Sequence, residues 1–273
     1  MNSSKPARFV FLHVPKTGGK TLRHIIYRQY RNRKALRLKG EKETQKFLNL
    51  SAGEKNELQL ISGHFSFSGA FTFSGPTDYF TMLRDPKKRV ISGYNFLNWN
   101  PRHAFYKDMV ANNYSLLDML TQGHVANFDN GMVRFLSGTE QKAFGTINQS
   151  DCDKAIENFD TYFTHFGINE YFDESILMVS YELGWAFPYY ARINTTDKKK
   201  ITTIDDPATL EALQRCIRYD QQLYDHALAK FRLKLTHYKH QLSADLIKLN
   251  EGNKKRNLFL KLHYALFKRQ ING

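Results

Sequence analysis

The stretch that decides the fold is Phe9-Val10-Phe11-Leu12-His13-Val14-Pro15-Lys16-Thr17-Gly18-Gly19-Lys20-Thr21-Leu22. It opens with an apolar, β-prone run, which is typical of a strand buried on both faces. A glycine-rich turn follows, and apolar residues then recur at helical spacing at Ile25, Ile26 and Tyr30. In this order, converging backbone N–H groups, the helix dipole and a lysine favour an anion. The stretch therefore predicts a cradle for a phosphate- or sulfate-bearing nucleotide.

The turn matches a Walker A loop in part. That loop reads G-x-x-x-x-G-K-[ST], and Gly19-Lys20-Thr21 supplies its end. Its first glycine would fall on Val14, inside the strand. On the residues alone, a P-loop kinase using ATP and magnesium, another kind of phosphate loop and an ordinary glycine-rich turn all stay open.

A second motif follows about sixty residues later. Tyr79 to Leu83 predicts a strand, and Asp85-Pro86 predicts the start of a helix, because Asp is a good N-cap and Pro suits the first helical position. Arg84 then stands at the strand end, and Ser92 stands about two turns into the helix. An arginine fork beside a hydroxyl suits a terminal phosphate.

A histidine follows the second predicted strand along the chain. Leu58 to Ser62 is apolar enough for a buried strand, and Gly63-His64 comes directly after it. The end of a strand is where open α/β sheets bind their ligands. Taken alone, a histidine in this position is more often structural than catalytic.

These segments together resemble PAPS-dependent carbohydrate sulfotransferases, nearest the heparan sulfate 2-O-/6-O-sulfotransferase group, in a bacterial-type form without a membrane anchor. His-Val-Pro-Lys-Thr-Gly-Gly is similar to the loop that binds the 5′-phosphosulfate of 3′-phosphoadenosine 5′-phosphosulfate (PAPS). Leu83-Arg84-Asp85-Pro86, with Arg89 and Ser92, resembles the family motif Leu-Arg-Asp-Pro-x-x-Arg-x-x-Ser. Lys20 departs from the family, which usually has Thr or Ser there.

The resemblance implies a role for each matching residue. His64 would be the general base, and Lys16 would stabilise the leaving oxygen. Arg84 and Ser92 would hold the 3′-phosphate, and Lys20 could add a second charge. The phosphosulfate would be held by the loop residues Lys16, Thr17, Gly18, Gly19, Lys20 and Thr21. No metal is implied, and the product would be adenosine 3′,5′-bisphosphate.

Further family-like elements carry weaker expectations. Arg89 could pair with Asp85 at i,i+4 spacing. Asn130, Arg134 and Ser137 would lie close together on a helix, either as acceptor or cofactor contacts or as a structural polar cap. Tyr162 to Ile168 predicts a fourth strand, and a helix is predicted to follow it.

Charge is unevenly distributed along the 273 residues. The net charge is +14, but residues 1–39 carry +11, residues 230–273 carry +9 and the segment between them carries −6. An acidic middle and the absence of a recognisable motif argue against a nucleic-acid binder, although that class stays open. The basic run from Arg28 to Lys39 is interpreted as the solvated end of the first helix or as a rim for an acidic acceptor.

The chain is predicted to be one α/β domain, with a P-loop-like parallel sheet flanked by helices and a helical C-terminal extension. The expected division is 1–235 for the sulfotransferase domain and 236–273 for a basic tail, with Gly252-Asn253 breaking the tail helix. The tail combines leucines at helical spacing with the basic residues Lys254, Lys255, Arg256, Lys261, Lys268 and Arg269. It could pack on the core or lie against an anionic membrane.

Cysteine usage and hydropathy bear on location. Cys152 and Cys216 lie far apart, form no CxxC pair and predict a reducing compartment. Mean hydropathy is −0.54, and the N-terminus leads directly into the first strand, without an apparent signal peptide. We therefore expect a cytoplasmic enzyme, which could also contact a membrane surface. Its expected acceptor is a glycan that could be anionic.

Overall fold

The computed structural model describes residues 8–191 and 203–272, without the side chains of residues 267–272. Its centre is a parallel sheet with the strand order β2-β3-β1-β4-β5. The strands are β1 (Arg8–Leu12), β2 (Ala35–Leu38), β3 (Leu60–Gly63), β4 (Thr77–Leu83) and β5 (His165–Ile168). Because the strands are parallel, their carboxyl ends meet at one edge. The predicted α/β fold, with a parallel sheet flanked by helices, is confirmed.

Helices connect the strands and cover the sheet. In the described ranges they are α1 (Gly19–Gln29), α2 (Glu41–Leu48), α3 (Ala52–Glu57), α4 (Pro86–Trp99), α5 (Tyr106–Ala111), α6 (Leu116–Thr121), α7 (Gly131–Ser137), α8 (Gln149–Tyr162), α9 (Phe172–Glu182) and α10 (Pro207–Asn272). Short 3₁₀ turns lie at Gly69–Phe71, Ala126–Phe128 and Asn169–Tyr171. None of the described helices combines the length and apolarity that crossing a bilayer requires.

The first strand is the centre of the core. Every residue of β1 is buried. The ring of Phe9 stacks on Tyr30 and Phe80 and meets Trp185 edge-on. Burial on both faces accounts for the unbroken apolar run, because neither face of this strand meets water.

The sequence failed to predict β2. The basic run was assigned to a helix end or a rim, but Ala35 to Leu38 pairs in parallel with Leu60 to Gly63. This strand is short, lies at the edge of the sheet and is largely exposed at its start. Edge strands need little apolar sequence, so the local pattern carries almost no signal. Arg31, Arg33 and Lys34 are exposed, as the solvated interpretation expected.

The predicted break at Gly252-Asn253 is wrong. α10 runs for 66 residues and passes through both positions. A side chain at Gly252 would collide with the ring of Tyr189, 2.0 Å away, and the Asn253 side chain accepts a hydrogen bond of 2.8 Å from the Tyr190 backbone N–H. Gly252 and Asn253 therefore pack α10 closely against the segment that contains Tyr189 and Tyr190. The 1–235 and 236–273 division stays a prediction, and the side chains of Lys268 and Arg269 lie outside the described residues.

An ionic cluster lies at the amino end of β5. His165 Nδ1 is 2.6 Å from Glu182 Oε2, and its Nε2 is 3.4 Å from Asp78 Oδ1. Lys234 of α10 bonds the other Glu182 oxygen at 2.8 Å. Burial alone would lower the pKa of His165, but the hydrogen bonds to Asp78 and Glu182 outweigh it and raise that pKa to about 9. The imidazolium thus links β4, β5 and α9.

We predict that this cluster makes stability fall as pH rises. A raised folded-state pKa stabilises the protein fully below the unfolded pKa, near 6.5, and the contribution is lost as pH rises through about 9. The loss is at most about 3 kcal/mol. Urea unfolding at pH 6 and pH 9 should show this fall in the wild type and a much smaller fall in His165→Asn. The exposed His240→Asn variant is the control, and equal falls in all three proteins would contradict the prediction.

Candidate functional site

The glycine-rich loop between β1 and α1 is a tight, strained turn. Lys16 has φ 73° and Gly18 has φ 82°, so both lie in the left-handed region, which is costly for a lysine. A side chain on Gly19 would lie 1.6 Å from the ring of His13, so the start of α1 rests directly on that imidazole. The Thr17 hydroxyl donates to the Val14 carbonyl at 2.8 Å and closes the turn. The loop therefore brings backbone amides to the N-terminus of an 11-residue helix, where anions are stabilised.

The two lysines of the loop occupy different environments. Lys16 is half-buried, and its Nζ lies 4.1 Å from the ring centroid of Phe96 on α4. Lys20 is exposed at the second position of α1. Thr17 and Thr21 are buried. Lys16 is thus directed toward α4, whereas Thr17 uses its hydroxyl inside the loop.

Arg84 joins the second motif to the first. It follows β4, and its Nη1 donates a hydrogen bond of 2.9 Å to the Lys16 carbonyl. Its Nε is buried without a hydrogen-bond partner in the described residues and lies 4.0 Å from Glu170 Oε1. Ser92 is half-buried on α4, one turn before Phe96 and on the same helix face. The structure therefore brings Lys16, Arg84 and the Ser92 face of α4 together.

The start of α4 follows the sequence prediction. The Asp85 side chain accepts a hydrogen bond of 2.8 Å from the Lys88 backbone N–H, and Pro86 is the first helical residue. The Asp85 backbone N–H itself donates to Glu170 Oε2 at 3.2 Å. Glu170 thereby fixes the corner from which Arg84 projects.

His64 lies on the other side of β1. It follows β3, and its Nδ1 is 2.7 Å from the carbonyl oxygen of His13. Because a carbonyl can only accept, Nδ1 carries the proton and Nε2 keeps its lone pair. The His13 ring lies against it, with centroids 4.3 Å apart. The hydrogen bond from Nδ1 to the His13 carbonyl fixes the tautomer that a general base requires.

Electrostatics keep His64 neutral. Burial is the main cause that lowers its pKa to about 4. The hydrogen bond to His13 raises it, and the positive charges of Arg23, Arg37 and Lys16 lower it further. At neutral pH the imidazole is therefore uncharged, with its single proton on Nδ1. It can accept a proton from a hydroxyl placed at Nε2.

Arg89 is structural, but its predicted partner is wrong. Its guanidinium is buried and bonds Asp220 of α10 at 3.1 Å and the Asn127 side chain at 2.6 Å. Asp85 instead caps α4, accepting a hydrogen bond from the Lys88 backbone N–H. The pairing fixes α4 to α10, across 131 residues of sequence.

The polar residues of α7 also serve the fold. Asn130 Oδ1 accepts from the Tyr219 backbone N–H at 2.8 Å. Arg134 is buried and pairs with Asp129 at 2.5 Å. Ser137 lies 2.6 Å from the Thr139 hydroxyl. Of the two interpretations left open by the sequence, the contacts favour the structural one.

Sequence reasoning missed His13, Phe96 and Glu170 as parts of the site. The His13 ring packs against Gly19, and the His13 carbonyl accepts a hydrogen bond from His64. The Lys16 ammonium lies over the ring of Phe96. The Glu170 carboxylate accepts a hydrogen bond from the Asp85 backbone N–H. His13 opens the family-like segment His-Val-Pro-Lys-Thr-Gly-Gly, so adjacency to a motif could have suggested it. Phe96 stood one helical turn after Ser92, which was also visible in the sequence.

Comparisons with known proteins bear on the family. The chain matches the family model for galactose-3-O-sulfotransferase over residues 1–261. A structural likeness, at 12% identity and a TM-score of 0.38, is to mouse sulfotransferase SULT7A1 complexed with PAP. It covers 77% of this chain and 64% of that chain. No curated protein sequence matches the chain. The match to the family model spans nearly the whole sequence, and the chain belongs to the galactose-3-O-sulfotransferase family.

Proposed function

We propose that this protein transfers a sulfuryl group from PAPS to a hydroxyl of an oligo- or polysaccharide. The observation that carries the proposal is the hydrogen bond between Arg84 Nη1 and the Lys16 carbonyl. It joins, at the carboxyl edge of the sheet, two elements distant in sequence that we assign to anion binding. Membership of the galactose-3-O-sulfotransferase family supports sulfuryl transfer to a carbohydrate.

The site fits a doubly phosphorylated nucleotide. Loop amides at the N-terminus of α1, with Lys16, Thr17, Gly18, Gly19, Lys20 and Thr21, would hold the phosphosulfate. Arg84 and Ser92 would hold the 3′-phosphate. Arg84 supports this assignment, because its buried Nε makes no hydrogen bond in the described residues and its ion pair with Glu170 Oε1 is long, at 4.0 Å.

In the proposed mechanism, the acceptor oxygen forms a bond to the sulfur of PAPS by in-line displacement. The bond between sulfur and the phosphate oxygen breaks, and adenosine 3′,5′-bisphosphate leaves. His64 Nε2 takes the proton of the acceptor hydroxyl, while its Nδ1–H stays bonded to the His13 carbonyl. Lys16 stabilises the negative charge that develops on the leaving oxygen, and Lys20 adds a second, more exposed charge.

The acceptor is assigned only to a class of molecules, whereas the donor is assigned to a single compound. The family supports a sugar hydroxyl, and the basic clusters support an anionic glycan. The likeness to the heparan sulfate 2-O-/6-O-sulfotransferase group stays a prediction from the motifs. A screen of glycans with labelled PAPS tests the acceptor class, and activity confined to phenols or steroids would reject it.

The tail supports a separate proposal about location. Leu258, Phe259, Leu262 and Leu266 are exposed on α10, next to basic residues. Apolar side chains flanked by lysines suit an anionic membrane surface. The free, buried Cys152 and Cys216 are compatible with the cytoplasmic location that we propose for the enzyme.

We predict that Leu262→Asp reduces cosedimentation of the protein with phosphatidylserine vesicles, because it places a charge in the apolar row. Leu233→Asp, at another exposed leucine of α10, is the matched control. Equal binding by the two variants, or no binding by the wild type, would refute membrane contact.

Adenosine 3′,5′-bisphosphate should stabilise the protein in a thermal-shift titration. Arg84→Ala should weaken that affinity by about 10- to 100-fold, because a charge-assisted contact is lost. Binding of adenosine 5′-phosphate, which lacks the 3′-phosphate, should fall less, because the variant then loses only the support that Arg84 gives to the Lys16 carbonyl. The exposed Arg33→Ala should bind both nucleotides normally. Unchanged bisphosphate affinity in Arg84→Ala would contradict the assignment. Stabilisation by ATP and magnesium alone would favour a kinase, and salt-dependent DNA binding without nucleotide binding would favour a nucleic-acid binder.

His64→Ala should lower turnover by at least about 100-fold, the usual contribution of general base catalysis. Its affinity for adenosine 3′,5′-bisphosphate should be retained, because His64 is assigned to the acceptor. Single-turnover transfer of labelled sulfate measures the first quantity, and thermal shift measures the second. Near-normal turnover in the variant would show that another group takes the proton.

A further inference from the structure

Two arginines converge on the β2–β3 side of the site. Arg37 on β2 is in register with Ser62 on β3, and residues in register on neighbouring strands share a face. The Ser62 hydroxyl lies 3.1 Å from that of Tyr27 on α1. Arg37 therefore faces α1.

Arg23 stands on the same side of α1. It precedes Tyr27 by one helical turn, which places it on that face and closer to the carboxyl edge of the sheet. Its Nε is buried and makes no hydrogen bond to the described residues. The positive charges of Arg23 and Arg37 both lower the pKa of His64, so both charges lie close enough to affect the proposed base.

The surroundings leave this positive charge largely uncompensated. Burial lowers the pKa of Arg23, Arg37 lowers it further, and the groups that raise it are the phenols of Tyr264 and Tyr27. For Arg37 the one carboxylate that raises the pKa is Glu43, and it forms no salt bridge with Arg37 in the described residues. Tyr264 belongs to α10, which reaches α1 through a hydrogen bond of 2.9 Å between His24 and His263. Two like charges held together in this way favour an external anion.

The strand order separates this charge from the donor assignment. Arg84 follows β4, on one side of β1, whereas Arg37 and His64 belong to β2 and β3, on the other side. The proposed contacts to the 3′-phosphate of the donor thus lie toward β4. We propose that Arg23 and Arg37 form an acceptor subsite that binds an anionic group, a carboxylate or a sulfate ester, on the glycan held beside His64. This inference rests on the proposed function.

The test measures glycan binding by calorimetry, which depends neither on turnover nor on the donor. The probes are a neutral N-acetyllactosamine tetrasaccharide, a keratan sulfate tetrasaccharide of the same backbone and an unsulfated chondroitin tetrasaccharide. The first pair isolates the sulfate ester, and the third probe supplies carboxylates alone. We expect at least one anionic probe to bind about tenfold more tightly than the neutral one, and the preferred probe identifies the anion.

The variants locate that preference. Arg37→Gln and Arg23→Gln should each remove it, Arg37→Lys should restore part of it, and affinity for the neutral probe should stay the same. The control is Arg33→Gln, which changes an exposed arginine just before the amino end of β2 and should bind like the wild type. Affinity for adenosine 3′,5′-bisphosphate in the glutamine variants checks that the fold is intact.

The outcomes separate the two proposals. Equal affinity for all three probes in the wild type, or equal losses in Arg33→Gln and Arg37→Gln, overturns the subsite. Absence of both bisphosphate binding and sulfuryl transfer overturns the proposed function, while calorimetry still decides whether the arginines bind an anionic glycan.

Discussion

The site depends on one hydrogen bond, from Arg84 Nη1 to the carbonyl of Lys16. Lys16 adopts a left-handed conformation that an L-residue avoids unless its surroundings impose it. The guanidinium satisfies the carbonyl that this conformation turns toward β4, and the Lys16 ammonium is held against Phe96. The same arginine is thus a support for the loop and a positive charge beside it. Its own position is fixed by the corner that Glu170 and Asp85 form.

The strand order gives the site two different sides. β1 lies at the centre, and the loop that follows it separates a β4 side from a β3–β2 side. Arg84 and α4 occupy the first side, and His64 and Arg37 occupy the second. Gly19 permits this arrangement because α1 must rest on His13, whose carbonyl in turn orients His64. The loop that would bind the donor and the histidine that would serve the acceptor are therefore positioned by one residue.

Local patterns predicted the elements whose causes are local. The β1–turn–α1 unit and the Asp85-Pro86 start of α4 were visible because burial and capping act within a few residues. The strand β2 was not visible, because pairing with β3 and not composition makes it a strand. The partner of Arg89 was mistaken for the same reason: Asp220 is 131 residues away, whereas Asp85 was a neighbour at plausible spacing. Gly252 was interpreted as a break, although in the fold it accommodates the Tyr189 ring. In each case a tertiary contact overrode a correct local rule.

The charges that would attract the substrates also weaken the base. Burial, Lys16, Arg23 and Arg37 lower the pKa of His64 to about 4, which suits a neutral imidazole but makes it a poor proton acceptor. An anion bound at Lys16 or at the arginine pair would offset part of that positive field and raise the pKa toward its ordinary value. In the proposed mechanism His64 therefore becomes a better base when donor and acceptor are both bound. Proton removal is then coupled to occupancy by electrostatics alone, without any movement of the histidine.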